Sequence, residues 1–443
     1  MNQRSSKFSI SRRTFIGGAA AVGAVAASAP VVTTGAQSAS PVASPVASPA
    51  ATAPPSIVAE RASGAVRLTG FGNDIEQATI ETVLQGFSAK YPNIQVSYEP
   101  IAAEYLVKIQ TDIAAGNVAD VFMVQNEYAQ DFMSRDVLLA IDDYMAEDSV
   151  SKDMFYEPLV NAYTWEGSLY GLPKDWSPIG AVYDPDALAS ANVTMPTTWD
   201  ELRTALQTLK AASGQPALAL DPSFDRFVIF LYQAGGNITN EDVTAITLDS
   251  EEATQALEFY YGLYRDGLSA TAADIGAQWP GDAFVQGLTS MVFEGNWMFP
   301  TLNDQAPDKK FEVAELPAGP AGKGTPAFTN SYSIFTGSQN PDAAWVLVNY
   351  LTGVEGARGA LPLGLALPAL PALESEFLAE YPERSPYLDA GRYATAVQYG
   401  PGGQTFASDA NAALQSLFAG QIDVAEAQAQ IVTAAQNNIQ LAG

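Results

Sequence analysis

Beyond residue 65, short apolar runs alternate with stretches in which apolar residues recur every three or four positions. Residues 66–71 read as a buried strand ending in Gly72-Asn73-Asp74. Ile80, Val83, Leu84 and Phe87 then share one face of a helix, Pro92-Asn93 stops it, and 94–98 is the next strand. A helix over 104–115 closes at Gly116-Asn117, residues 120–124 form a third strand, and 128–135 another helix. This β-α-β-α-β succession with short links predicts a parallel sheet covered on both faces. Such sheets bind ligands beyond the carboxyl ends of their strands. Gly72-Asn73-Asp74 and Gln125-Asn126-Glu127 would share that edge.

Strands at 169–174 and 179–183 lead into a second α/β region. Thr197-Thr198 caps a helix that runs to about residue 213. Residues 250–266 form a long amphipathic helix, and a strand at 289–293 runs into Glu294-Gly295-Asn296-Trp297. Residues 317–329, rich in Gly, Pro and Ala, read as a crossing back toward the first region. A strand at 332–335, a helix over 341–352 and closing helices at 406–419 and 424–441 complete the pattern.

The 443 residues suit two or three domains, and 47% hydrophobic content is enough for sizeable cores. Charge is lopsided, with 49 acidic residues against 21 basic. The first sixty residues hold four of the basic ones and a single acid, so the remainder carries a net charge near −31. Such a surface repels phosphate backbones and anionic membranes, which excludes nucleic acid as a partner. The chain has neither cysteine nor histidine. Thiol nucleophiles, Ser-His-Asp triads, Cys/His metal clusters, disulfides and a lipid-anchored cysteine are therefore impossible. No metal, cofactor or catalytic residue is expected.

Ser11-Arg12-Arg13-Thr14-Phe15-Ile16 and the alanine-rich apolar run to about Val32 form a Tat-type export signal, assigned to residues 1–36. Small residues surround Ala27, Ala29 and Ala36, leaving open where cleavage occurs and whether the segment stays as an anchor. The repeat Ser40-Pro41-Val42-Ala43-Ser44-Pro45-Val46-Ala47-Ser48-Pro49 cannot bury a core, so 37–64 reads as an extended spacer. No later stretch is long and apolar enough to span a bilayer; behind an export signal, the rest of the chain is expected outside the cytoplasm.

Six fragments, in order, resemble the family 1 extracellular solute-binding proteins of ABC importers, the maltose-binding type. They are Phe87-Ser88-Ala89-Lys90-Tyr91-Pro92-Asn93-Ile94; Ala114-Ala115-Gly116-Asn117-Val118-Ala119-Asp120-Val121; and Tyr170-Gly171-Leu172-Pro173 with Ala181-Val182-Tyr183-Asp184-Pro185. Phe284-Val285-Gln286-Gly287 through Gly295-Asn296-Trp297, Asn340-Pro341-Asp342-Ala343-Ala344-Trp345, and Gly364-Leu365-Ala366-Leu367-Pro368 follow. Ala119 stands where the family has proline. The resemblance implies a type II periplasmic-binding-protein fold of two discontinuous α/β lobes, 65–177 with 329–373 and 178–328 with 374–443. Hinge strands would join them near 176–180 and 325–330, with a third return near 372–376. It further implies a monomer that captures a sugar between its lobes and delivers it to membrane permease subunits.

A sugar site needs carboxylates and amides for hydroxyl groups and aromatic faces for C–H surfaces. Those residue types gather where the loops converge: Phe71, Asn73, Asp74, Asn126, Glu127, Asp175, Trp176, Ser177, Glu294, Asn296 and Trp297, with Gln125 and Lys174 beside them. The resemblance places Asn73-Asp74, Asn126-Glu127, Trp176-Ser177 and Trp297 at ligand-contacting positions, and Phe71 where tryptophan is common. Tyr332 and the Tyr399 loop are further candidates. Each also has a plainer reading: Asp74 as a helix cap, Glu127 as a first-turn charge, Trp297 as core. Carboxylates plus aromatic faces would also suit a polyamine, the runner-up, and paired carboxylates could serve an exported glycoside hydrolase. Gly319-Pro320-Ala321-Gly322-Lys323-Gly324-Thr325 lacks the ending of a phosphate loop, and Gly70-Phe71-Gly72 lacks the third glycine of a dinucleotide fingerprint.

Overall fold

The computed structural model describes residues 56–72, 74–240 and 243–441; the Tat-type segment, most of the spacer and Asn73 lie outside these. The first of two main sheets has seven strands. Gly64–Thr69 lies between Ile94–Tyr98 and Val121–Gln125 and runs parallel to both, joined by the helices Asp74–Lys90 and Tyr105–Ala114. Thr325–Ile334 continues the sheet antiparallel to Val121–Gln125, followed by Gly171–Pro178 and the short Leu367–Pro368. Ala394–Ala396 lies parallel to the start of Thr325–Ile334. The second sheet runs in the order Glu312–Ala314, Gly180–Tyr183, Met291–Glu294, Leu218–Ala219, Ser269–Ala270. Phe122, Leu172 and Trp345 are buried in the first core; Phe227, Phe230 and Leu231 are buried in the second.

Two strands carry the chain between the sheets, and one threonine stitches them together. Gly171–Pro178 belongs to the first sheet and Gly180–Tyr183 to the second, so Ile179 is the passage. Thr325, at the start of the returning strand, accepts a hydrogen bond from the Ile179 N–H at 3.1 Å and donates to its carbonyl at 2.8 Å. Both strands are thus fixed to each other where they cross. The pairing of Gly171–Pro178 with Thr325–Ile334 shifts register between Asn330 and Ser331, which leaves Lys174 as the extra residue of a bulge. A bulge bends its strand and re-aims side chains, and here both Lys174 and Asp175 line one recess beside the helix Asp74–Lys90.

Four segments depart from the sequence reading. Residues 325–329, read as part of a Gly/Pro/Ala-rich crossing, are the first half of a ten-residue strand paired on both sides, so backbone hydrogen bonding overrides composition. The helix Phe224–Ala234 had no periodic signature because residues 227–231 are buried on every side. Residues 56–62 are folded rather than extended: Val58 is fully buried, and its N–H and the Ser56 hydroxyl donate to Asp148. The third return falls later than 372–376. Leu373, Phe377 and Tyr387 still belong to the first core, and Val397 is where the chain joins the second.

Candidate functional site

Three chain ends converge at the carboxyl edge of the first sheet: the end of Gly64–Thr69, the end of Val121–Gln125, and the bulged part of Gly171–Pro178. From the second lobe, the first turn of Phe224–Ala234 and the turn after Met291–Glu294 face them. Between them lies a cavity of about 290 Å³ lined by Phe71, Glu127, Asp175, Trp176, Ser177 and Trp297 among the residues singled out from sequence. Gln125 joins this wall, as do Glu76, Asp225, Arg226, Phe328, Thr329 and Asn330, which the sequence reading passed over. A recess under the helix Asp74–Lys90 continues from it and adds Tyr332 and Lys174.

The second-lobe wall is a connected network with one donor, Arg226 Nε, left over. Asp225 and Arg226 sit in a first turn whose exposed N–H groups are tied down: Phe224 donates to Asn411 at 2.6 Å and Ser223 to the Tyr260 hydroxyl at 3.2 Å. Arg226 pairs with the fully buried Glu294 at 2.7 Å. The second oxygen of Glu294 accepts from Trp297 Nε1 at 2.8 Å. Gly295 makes that possible, since a Cβ there would lie 2.3 Å from the Trp297 ring. The Trp297 face stands edge-on to Phe328, with centroids 5.6 Å apart. Tyr399, buried between Phe224 and Phe406, donates its hydroxyl to Asp225.

The first-lobe wall is less complete. Asp175 accepts from Asn330 Nδ2 at 3.0 Å and pairs with Lys174. Glu127 is in the first turn of Asn126–Met133, and its Oε2 is buried without a partner. Burial, and after it the negative charge of Asp225, push its carboxyl up to about 8. Arg226 Nε and Asn330 Oδ1 are likewise buried and unpartnered. Among the described residues seven buried side-chain polar atoms have no partner, and three of them line this one cavity. The other four, on Tyr98, Tyr128, Ser269 and Thr289, do not line it, so the grouping of three marks this cavity out.

Several expected site residues hold the walls, and of these only Trp176 also lines the cavity. Asn126 is buried with its amide fully used: Nδ2 donates to the carbonyls of Val397 at 2.7 Å and Ala327 at 3.2 Å, and Oδ1 accepts from the Thr329 N–H at 3.0 Å. Asn296 reaches from the second lobe to the hinge strand, its N–H donating to Ser177 Oγ at 2.8 Å. Glu294 and Tyr399 act behind Arg226 and Asp225. Trp176 is 4% exposed, donates Nε1 to the Pro368 carbonyl, and packs mainly away from the cavity against Tyr156 and Gly391. Asp74 is exposed in a helix first turn. Asp225 and Arg226 left one trace in the sequence, two adjacent charges opening a run that is otherwise apolar to Tyr232.

Two α/β lobes joined by paired strands, with mixed polar and aromatic groups converging from both, define a cleft-binding protein. The family model for bacterial extracellular solute-binding proteins matches residues 72–358, more than half of the chain, and the chain belongs to that family. A binding protein of Brucella abortus is 29% identical over 280 residues, 61% of this chain and 67% of its own. Among solved structures, an ABC substrate-binding protein from Listeria monocytogenes in complex with cycloalternan superposes with a TM-score of 0.78 at 22% identity, covering 85% of this chain and 98% of its own. The GacH receptor of Streptomyces glaucescens, solved unliganded and with acarbose, gives 0.77 at 24% identity and the same coverage. These likenesses establish the type II periplasmic-binding fold, as the sequence resemblance implied.

Proposed function

We propose that the protein is the exported capture subunit of an ABC importer and binds a sugar or short oligosaccharide between its lobes. The observation that carries this reading is the mixture of unpartnered groups in the cavity: a donor at Arg226 Nε and acceptors at Glu127 Oε2 and Asn330 Oδ1, beside the faces of Phe71, Trp297 and Phe328. A sugar hydroxyl both donates and accepts, and its ring offers C–H faces to aromatics. The family and its cycloalternan- and acarbose-bound neighbours support the same class of ligand. Glu127, Asp175, Asn330 and Arg226 would hold hydroxyls, while Phe71, Trp297 and Phe328 would cover the ring.

In this reading one lobe comprises residues 64–178 with 325–396, the other 180–314 with 397–441, and ligand favours the form in which both touch it. The permease pair would receive the loaded protein, a monomer, and Arg12-Arg13 would direct export through the Tat route; exchanging both for lysine is expected to retain the protein in the cytoplasm, read by cell fractionation. Calorimetry of the folded chain with maltose, lactose and mannotriose tests the site. One-to-one binding without turnover is expected, at least tenfold weaker in Trp297→Ala. Release of product sugar would instead make the facing carboxylates those of a hydrolase. A second reading, capture of a cation such as spermidine, draws support from the acid excess around the cavity, where Glu76, Glu127, Asp175 and Asp225 outnumber Arg226 and Lys174. Calorimetry with spermidine alone giving heat would favour it.

A further inference from the structure

Glu127 is an unusual group to find on a ligand cavity. Its Oε2 is buried with no hydrogen-bond partner, and the residue facing it from the second lobe is another acid, Asp225. The charged groups around it offer no spare cation. Arg226, from the same helix turn as Asp225, is committed to Glu294, and Lys174 is committed to Asp175 on the bulged strand. The other polar neighbours are neutral phenols: Tyr399 donates to Asp225, Tyr163 donates to the carbonyls of Val124 and Thr329, and Tyr128 follows on the same helix. Glu76 adds a further acid to the cavity wall. A buried carboxylate beside another carboxylate, with every nearby cation already paired, resolves the conflict by holding a proton.

We propose that Glu127 meets the ligand as an un-ionised acid and is the residue by which the cleft selects an uncharged hydroxylated molecule. This deepens the sugar-capture reading and rests on it. The neutral acid donates through its O–H and accepts through its carbonyl oxygen, so it satisfies a hydroxyl in either direction; the ionised form only accepts. A cationic ligand brings donors alone. It would lie against the Arg226 guanidinium and leave Arg226 Nε unpaired, a poor match for a wall that holds both a free donor and free acceptors. The burial and the Asp225 charge that raise this carboxyl to about 8 agree with the geometry. Ionisation above that pH would place a second charge beside Asp225 and expel the neutral ligand.

The test has one arm that needs no ligand. Infrared difference spectra of wild type minus Glu127→Gln should contain the carbonyl stretch of a protonated carboxylic acid at pH 7, disappearing with a midpoint near 8. Asp225→Asn should move that midpoint to lower pH, a shift that a merely structural role for Asp225 would not produce. An absent band at pH 7 overturns the proposal. In the second arm, calorimetry from pH 6 to 9 uses maltose, lactose, mannotriose and spermidine. A bound sugar should weaken about tenfold between pH 7 and 9, following one ionisation. Glu127→Gln, at whatever affinity it retains, should show no such slope. A sugar affinity flat with pH in wild type, or spermidine binding that tightens as pH rises, also overturns it. If the band titrates near 8 while no sugar binds at any pH, the un-ionised acid stands and the sugar reading of the cleft falls.

Discussion

The two walls of the cleft each bury a glutamate, and the two have opposite fates. Glu294 is completely buried, yet Arg226, Trp297 Nε1 and the Gly295 N–H supply both of its oxygens. Glu127 as a residue is partly exposed, but its Oε2 is fully enclosed without a partner, facing Asp225. Burial alone therefore does not separate scaffold from site. What separates them is whether the group's hydrogen-bonding capacity is used up inside the protein. A satisfied carboxylate fixes the shape of the wall, and an unsatisfied one leaves a demand that a ligand or a proton must meet.

The comparison breaks most visibly if each glutamate is removed. Glu294→Ala leaves the Arg226 guanidinium buried and unpaired, which costs about 3–5 kcal/mol and should appear as a marked loss in denaturant midpoint. If that variant melts like wild type, the network is not what holds the second-lobe wall. Glu127→Gln should do the reverse. The unfolded chain releases this proton near about 4.3, and the folded one near 8. Between those values the folded state holds more protons, so the stability contributed by this residue is full below the unfolded value and is lost as pH rises toward 8. The glutamine variant should melt a few degrees higher than wild type at pH 9, with little difference at pH 4. Equal melting points at pH 9 would mean that Glu127 finds a partner in solution.

Smaller effects sharpen the distinction between lining and holding. Asn126→Ala strands the Thr329 N–H and the carbonyls of Ala327 and Val397, and should cost about 1–3 kcal/mol in thermal unfolding. Its effect on sugar affinity should be no greater than that loss of rigidity, whereas a residue on the cavity wall would lose affinity first. Ser177→Ala removes the acceptor for Asn296 at the hinge, along with the hydroxyl's own bond to the Pro178 carbonyl, and should cost about 1 kcal/mol. Small-angle scattering without ligand should then show a somewhat larger radius of gyration than wild type; an unchanged radius would make that bond incidental to lobe spacing.

Much of the fold was legible because it rests on local patterns. The spacing of Ile80, Val83, Leu84 and Phe87 marks the helix Asp74–Lys90, and the strands on either side of it were placed within two residues. Phe71, Glu127, Asp175, Ser177 and Trp297 were identified from loop position and residue type, and all five line the cavity. Asp225 and Arg226 were not, because they open a helix whose buried sides erase the period that would announce it. Asn126 and Asn296 read as site residues from the sequence, and their amides instead meet the backbone of residues 327, 329 and 397 and the Ser177 hydroxyl; an amide looks the same in either setting.

The sequence by itself determined the class of architecture and the excluded chemistries: a chain without cysteine or histidine has to work with carboxylates, amides and aromatics. Only the tertiary structure decided which carboxylate is spent and which is free. That choice depends on partners far away along the chain. Arg226 reaches Glu294 across 68 residues, Tyr399 reaches Asp225 across 174, and no local pattern encodes which of several acids a distant donor will meet.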